Sequence, residues 1–379
     1  MEIAAAISTH PVAPRAVGEA VGDLLDRLGP APDAALVFVT PPFGGVLEDV
    51  AATVRALLRP RALVGAVVAQ LGTGTFSSGP TVSLVGLRAN GAVPALPGCR
   101  ALVLADPHDE GTPRGVPGPL ATAGVLIAIA DPFGDPLDAL LGDLGASAPD
   151  LSVVGGLASA PGLEGPAGLI ADDRLLDRGA VGLLLPAGTG AGAVISDGWR
   201  ALGAPIVATR TSGTMVLELD GAAAIEVVRR AAGSLPAPER RRIGQALHLV
   251  AVGEDAASEA QRAATPVLGV ERATGAIAVA GPIEEGSLVQ LLLVDDLAGA
   301  DELRRALGSA PITGGVAFAP MHGGDLRPAE DRVRALADHL TPGAFVAVGC
   351  PGTIGPGPGG PHLRGAATVL LTAEPVRRR

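Results

Sequence analysis

The chain has 379 residues, a formal net charge of −11 and no lysine, because all 28 basic residues are arginine. Walker-type phosphate loops, Schiff-base enzymes and protein kinases each depend on a lysine side chain, so the composition excludes these classes. The acidic charge and an aromatic content of 2% also argue against a nucleic-acid partner, which needs basic patches and stacking rings.

The sequence shows no feature of a membrane or exported protein. No apolar run reaches the roughly 18 residues that span a bilayer, and the first ten residues lack the basic start and apolar core of a signal peptide. We therefore expect a cytoplasmic location and no membrane partner. Cys99 and Cys350 lie far apart and the six histidines lack ligand-like spacing, so we expect no disulfide framework, no metal and no cofactor.

Apolar runs alternate with amphipathic stretches along the chain, which is typical of a mixed α/β fold. The elements predicted in chain order are a helix over 17–28 ended by Gly29-Pro30, a buried strand over 35–40, and helices over 47–58 and 137–144. Between 165 and 220 short apolar runs indicate an antiparallel meander. Helical patterns return from 222, so Gly221 marks the predicted boundary between an N-terminal domain, 1–220, and a C-terminal domain, 221–379.

The two ends of the chain repeat one order of elements. ALVFVT, a helix, LVGAVVAQ and TVSLVGL near the N-terminus match GVAFAP, a helix, AFVAVGC and AATVLL near the C-terminus. Phe38 and Phe318 are 280 residues apart, and so are Thr73 and Thr353, each inside a Gly-Thr loop. This shared offset predicts two pseudo-symmetric lobes of mixed β-sheet flanked by helices, with the meander between them. The alternative is a chance match of the kind that any α/β chain offers.

The Gly-rich loops lack the motifs of two common kinds of site. GTGAGA, residues 188–193, is the nearest match to a dinucleotide fingerprint, but the continuation VISDGWRALG indicates a strand where that fold needs a helix. No GxSxG nucleophile elbow occurs. Cys350 ends a predicted strand, where a nucleophile assisted by His322 or His362 is one interpretation and a small apolar core residue is the other. Pro351 removes a backbone N–H that an oxyanion hole would use.

Binding by backbone groups remains. Gly-rich turns after strands expose N–H groups that can hold a carboxylate, and arginines are its natural charged partners. Trp199 either walls such a pocket or fills a core, and for each loop residue a tight turn is the alternative. The candidate ligand-binding residues are Gly72, Thr73, Gly74, Gly155, Gly156, Trp199, Arg200, Cys350, Gly352, Thr353, His362 and Arg364.

Taken in order, several segments resemble the FIST family with its FIST_N and FIST_C domains, over about residues 15–372. They are ALVFVTPP, LVGAVVAQLGTG, VVGGLASA, GAVGLLL, ISDGWRALGAPIVATR, VLELDG, LGVERATGAIAVAGPIEEGSLVQL and GTIGP. The chain departs from the family where Gly352-Thr353-Ile354-Gly355 replaces a Gly-Glu-Ile-Gly motif, so an acidic contact is lost. The abundance of Arg, Ala, Gly and Pro indicates a GC-rich, actinobacterial type of genome.

The resemblance implies a sensory signal-transduction module that binds a small, amino-acid-like metabolite without catalysis. Because the chain carries no output domain of its own, the signal would pass to a separate protein partner, and a homo-oligomer is left open. A protein-interaction adaptor without a ligand is the first alternative, and a Cys350-dependent hydrolase or transferase is the second.

Overall fold

The structure is a computed structural model that describes most of the chain. The described residues are 1–77, 79–89, 98–108, 124–132, 137–158, 168–237, 240, 243, 247–252, 264–279, 282–308, 312–321, 327–341, 343–357, 360–364 and 368–373. The chain divides into two compact units, of which unit 1 comprises Met1–Ser196 with Ala300–Arg379, and unit 2 comprises Asp197–Gly299. The predicted division into family domains at Gly221 is a separate matter and stays a prediction.

The fold class is mixed α/β, as predicted, with four sheets flanked by helices. The described helices are α1 Ala13–Leu28, α2 Leu47–Leu57, α3 Leu137–Ser147, α4 Ala224–Gly233, α5 Asp296–Leu307 and α6 Arg327–His339, with a 3-10 helix over Pro41–Val46. The strands are β1 Glu2–Ser8, β2 Ala34–Val39, β3 Leu63–Val67, β4 Gln70–Gly72, β5 Val82–Arg88, β6 Arg100–Ala105, β7 Gly124–Ala130, β8 Ser152–Leu157, β9 Leu169–Ala171, β10 Arg174–Leu176, β11 Ala180–Pro186, β12 Ala191–Ser196, β13 Trp199–Ser212, β14 Met215–Leu219, β15 Ala222–Ala223, β16 Leu247–Ala251, β17 Thr265–Val270, β18 Ile277–Val279, β19 Leu288–Val294, β20 Gly314–Pro320, β21 Phe345–Cys350, β22 Thr353–Gly357, β23 Gly360–Arg364 and β24 Thr368–Ala373.

The two predicted lobes share one topology. In the first, β2 pairs in parallel with β3 across helix α2 and antiparallel with β5, and in the last, β20 pairs in parallel with β21 across α6 and antiparallel with β24. Phe38 lies opposite Ala66 and Ser83, and Phe318 lies opposite Val348 and Val369. The repeated order of apolar runs therefore corresponds to a repeated structure.

A third copy of this unit, which the sequence comparison missed, lies between the other two. Strand β7 pairs in parallel with β8 across helix α3 and antiparallel with β11, and Ile129 lies opposite Gly156 and Val181. A further strand flanks each copy, namely β1 beside β5, β6 beside β11 and β12 beside β24. Unit 1 is therefore built from three repeats, and we call it the three-repeat unit.

The three repeats exchange strands in a cycle. Strand β4, which follows β3, pairs with β21 of the third repeat; β9, which follows β8, pairs with β3 of the first; and β22, which follows β21, pairs with β8 of the second. Each sheet is thus completed by a segment of another repeat. Sheets joined in this way cannot separate as independent lobes.

The strand register corrects one detail of the predicted duplication. Leu71, Leu169 and Thr353 lie opposite the equivalent positions of the three third strands, Val348, Ala66 and Gly156. Thr353 therefore corresponds to Leu71 and not to Thr73. The segment from the phenylalanine to this position is two residues longer in the third repeat than in the first.

The core of the three-repeat unit has an inner and an outer part. The inner faces of the three sheets share one apolar cluster, in which the rings of Phe38 and Phe318 meet edge to face with centroids 6.3 Å apart. Three outer clusters each lie between one sheet and its helices. The helical stripes predicted from Leu47, Val50 and Val54, and from Leu140 and Leu144, are the buried faces of these outer layers.

Unit 2 is a barrel with its own apolar core. Its strands follow the order β13, β19, β16, β17, β18, β14, and β13 also pairs with β14, which closes the sheet. We call this unit the inserted barrel, because it separates β12 from the rest of the third repeat. The strands predicted as one meander between 165 and 220 are present, but they pair antiparallel within four different sheets.

Candidate functional site

The strand exchange brings together five of the predicted ligand residues, namely Gly155, Gly156, Cys350, Gly352 and Thr353. Thr353 and Ile354 of β22 lie opposite Gly156 and Gly155 of β8. A Cβ atom added to Gly156 would lie 2.8 Å from Cys350 Sγ and 3.1 Å from a ring carbon of Phe318. Because no side chain fits there, this glycine serves close packing at the edge of the inner core.

Cys350 belongs to that core. The side chain is fully buried, and this burial raises the pKa of the Cys350 thiol to about 12. Its Sγ lies 3.5 Å from the carbonyl oxygen of Ala319, to which the thiol donates. Val68 and Ala158 occupy the equivalent positions of the other repeats, two residues past Ala66 and Gly156, and both lie in the same apolar cluster. The geometry favours the interpretation of Cys350 as a small core residue.

Thr353 is a polar residue at an apolar position. It is fully buried, and its hydroxyl donates to the carbonyl oxygen of Arg364 at 3.1 Å. The equivalent residues Leu71 and Leu169 are both part of the inner core. The hydroxyl ties β22 to β23 from the inside, so in this repeat a threonine stands where the other two have a leucine.

The inner face of the hairpin β22–β23 leads from this buried position to solvent. Residues 353, 355 and 357 of β22 lie on one face, opposite Arg364, His362 and Gly360. Gly355 and Gly357 lack side chains, and the side chains of Arg364 and His362 pack over them. Arg364 is half-buried and its Nη2 donates to the carbonyl oxygen of Pro356 at 2.8 Å, whereas His362 is exposed. A guanidinium and an imidazole on a glycine-lined face can hold a carboxylate, and we call this face the hairpin site.

The loop at Gly72, Thr73 and Gly74 lies in a different sheet. Gly72 ends β4, opposite Ala347 of the third repeat, and Gly74 packs against Ala337 of helix α6, with a Cβ position 3.6 Å from its side chain. Neither residue belongs to the hairpin site. A Cβ on Gly72 would overlap the carbonyl of the turn that follows, so this glycine is needed by a tight turn.

Trp199 and Arg200 lie at the start of β13 in the inserted barrel. The Trp199 ring lies 4.8 Å from that of His248, and Arg200 forms an ion pair with Asp295 at 2.7 Å. The sequence does not predict that His248 and Asp295 lie near Trp199. His248 is on strand β16 and Asp295 follows β19, and strand pairing brings both to Trp199. These four residues form a polar end of the barrel.

An open groove of about 380 Å³ lies elsewhere in the three-repeat unit. It is lined by the start of β1, Arg27, Thr313, Thr341 and the 343–344 turn. The Arg27 guanidinium spans it by donating to the carbonyl oxygens of Ala5 and Gly343. No sequence signal pointed to this groove, since its walls come from the first and third repeats.

Among the described residues, no three His, Cys, Asp or Glu side chains lie close enough to bind a metal ion together. Within the same residues, no helix combines the length and apolar character needed to cross a membrane.

Comparison with known proteins supplies the family. The model of the FIST N domain matches residues 33–222. An uncharacterised protein of Mycobacterium tuberculosis is 27% identical over 341 residues, covering 84% of this chain and 85% of that protein. One of Mycobacterium bovis is 28% identical over 313 residues, covering 80% and 78%.

One solved structure, Thermotoga maritima PurL complexed with FGAR, aligns with 98% of this chain and 73% of that chain. Its TM-score is 0.23 and its sequence identity 11%. A similarity this weak carries no information on fold or function.

Proposed function

This chain belongs to the FIST family, a family of sensory signal-transduction domains, and on that premise we propose that it senses a small polar metabolite by binding it without chemical conversion. Family membership carries this proposal. An amino acid or a related carboxylate is the ligand class that the available side chains suit best. The signal would then pass to a separate protein partner.

We place the ligand at the hairpin site. Arg364 supplies a planar set of donors for a carboxylate, and His362 lies beside it toward solvent. Thr353 stands where the Gly-Glu-Ile-Gly motif of the family resemblance has its glutamate, so that acidic contact is lost here. Its short, buried side chain adds no negative charge to this face that would repel a carboxylate.

The buried thiol supports binding rather than cysteine chemistry. A thiol whose pKa lies near 12 holds its proton at neutral pH, whereas nucleophilic cysteines act as thiolates. We therefore rank a Cys350-dependent hydrolase or transferase below the sensor.

A thermal-shift screen of the whole protein against the twenty amino acids and common carboxylate metabolites tests the sensor proposal. A ligand at about 100 times its dissociation constant adds about 2.7 kcal/mol to the free energy of unfolding. We expect a rise of a few degrees in Tm for one chemical class. A flat response across the panel would contradict the proposal.

A protein-interaction adaptor is the second candidate. Strand β17 of the inserted barrel exposes Leu268 and Val270, with 68% and 45% of their surfaces accessible. Exposed apolar side chains close together in sequence are a starting point for a surface that binds another protein. A flat ligand screen would shift weight to this candidate.

A further inference from the structure

The third repeat contains an interruption that the first lacks. In the first repeat, four residues join β1 to helix α1. In the third, the chain leaves unit 1 after Ser196, the last residue of β12, and returns at Ala300 within helix α5. Both covalent connections of the inserted barrel therefore pass through the end of β12 and the body of α5.

The same hydrogen bond joins strand and helix in both repeats. Ser8, the last residue of β1, donates from its hydroxyl to Glu19 Oε2 of α1 at 2.6 Å. Ser196 donates in the same way to Glu302 Oε2 of α5 at 2.9 Å. The serines are equivalent, because Ser8 lies opposite the first residue of β5 and Ser196 opposite the first residue of β24.

The third repeat adds a buried arginine to this pair. Arg332 of α6 is fully buried, and its Nη1 lies 3.5 Å from the carbonyl oxygen of Ser196. The equivalent positions in the other repeats are Val50 of α2 and Leu140 of α3. Like Arg332, each lies four residues before a buried apolar residue that faces its sheet. Burial of a guanidinium is costly unless it meets acceptors, and the carbonyl oxygen of Ser196 is one acceptor within reach of Arg332.

We propose that Ser196, Glu302 and Arg332 form a clamp that holds together the two points at which the chain leaves and rejoins the three-repeat unit. The Ser–Glu hydrogen bond is common to the first and third repeats, where it joins a strand to its helix. The added arginine secures it in the one repeat where the inserted unit, Asp197–Gly299, separates Ser196 from the part of the helix that carries Glu302. The clamp replaces the short connection that orders the same elements in the first repeat.

Hydrogen–deuterium exchange of the full chain, read by peptide, tests the clamp with a matched control. In Ser196→Ala, we expect amides of β12 and of α5 from Ala300 onward to exchange about fivefold faster, because one buried hydrogen bond is lost. Arg332→Met keeps the side-chain volume and should have a larger effect on the same peptides. In both variants the strands of the inserted barrel should exchange as in the wild type.

Ser8→Ala is the control, because it removes the equivalent hydrogen bond to Glu19, together with the one that Ser8 Oγ accepts from the His10 amide, where no insertion occurs. There we expect an effect on β1 and α1 well below fivefold, since a four-residue connection already orders those elements. Equal effects of Ser8→Ala and Ser196→Ala, or unchanged exchange of β12 and α5 in both clamp variants, would overturn the proposal.

Discussion

Gly156 shows how closely the second and third repeats pack. A methyl group at this position would lie 2.8 Å from Cys350 Sγ and would meet Phe318 as well, both deep in the inner core. We expect Gly156→Ala to lower the free energy of unfolding by about 1–3 kcal/mol, measured by urea denaturation. Gly18→Ala is the control, since nothing lies within 4 Å of its Cβ position on the exposed face of α1. It should stabilise by about 0.5–1 kcal/mol. Equal stabilities of the two variants would contradict the packing described.

Two thiols with raised pKa values, the buried Cys350 and the partly buried Cys99, make stability depend on alkaline pH. The pKa of Cys350 is raised from 9.0 to about 12 by burial, so the folded state holds a proton that the unfolded state releases above pH 9. The stabilising contribution is complete below pH 9 and is lost as pH rises toward 12. The pKa of Cys99 is raised to about 12 as well, first by burial and then by the negative charges of Asp33 and Asp172.

The variant that tests this is Cys350→Ala, because alanine occupies the equivalent position, Ala158, in the second repeat. Between pH 9 and 11 its free energy of unfolding should fall less steeply than that of the wild type, measured by urea denaturation at each pH. Identical slopes would show that Cys350 titrates alike in both states.

At the scale of elements, short strands exchanged between repeats reach the inner core of the three-repeat unit. Strand β4 has three residues and lies at a sheet edge, yet Leu71 is fully buried in the inner core. We expect Leu71→Ala to cost about 2–5 kcal/mol in thermal or urea unfolding. Leu57→Ala, at an exposed position of α2, should change stability by less than about 0.5 kcal/mol. A similar small effect at both positions would mean that β4 does not contribute to the core.

Local patterns in the sequence predicted the helices and the duplication well. The stripe of Leu47, Val50 and Val54 and the stop at Gly29 are properties of neighbouring residues, and the structure has both. The middle repeat was not predicted, because Ile129 replaces the phenylalanine shared by the other two copies. The strand exchange was not predicted, because it pairs segments that are distant in sequence and no local pattern identifies the partner strand.

The candidate site, too, contains parts that the local sequence predicts and parts that it does not. Thr353, His362 and Arg364 lie within one hairpin, so their proximity follows from the sequence, and the structure places them on one face. The position of Gly156 beside Thr353 depends on exchange between repeats. Trp199 and Arg200 belong to the inserted barrel, because the chain leaves the third repeat just before them.

At the scale of the whole molecule, the two units have separate cores. The apolar cluster of the inserted barrel contains only residues between 202 and 293, and the other clusters contain none of them. We expect two transitions in calorimetry, because each unit buries its own core. Trp199, the single tryptophan, reports the barrel by fluorescence, while circular dichroism reports both units. One coincident transition by all three methods would contradict independent cores.

The most direct test of ligand binding at the hairpin site compares the thermal shifts of three proteins over the panel of amino acids and carboxylates. The wild type should respond to one chemical class, and Arg364→Gln should lose that response. Arg334→Gln, which removes an exposed arginine paired only locally with Asp331 on α6, should keep it. No response in the wild type, or an undiminished response in Arg364→Gln, would contradict a carboxylate-binding sensor site on this hairpin.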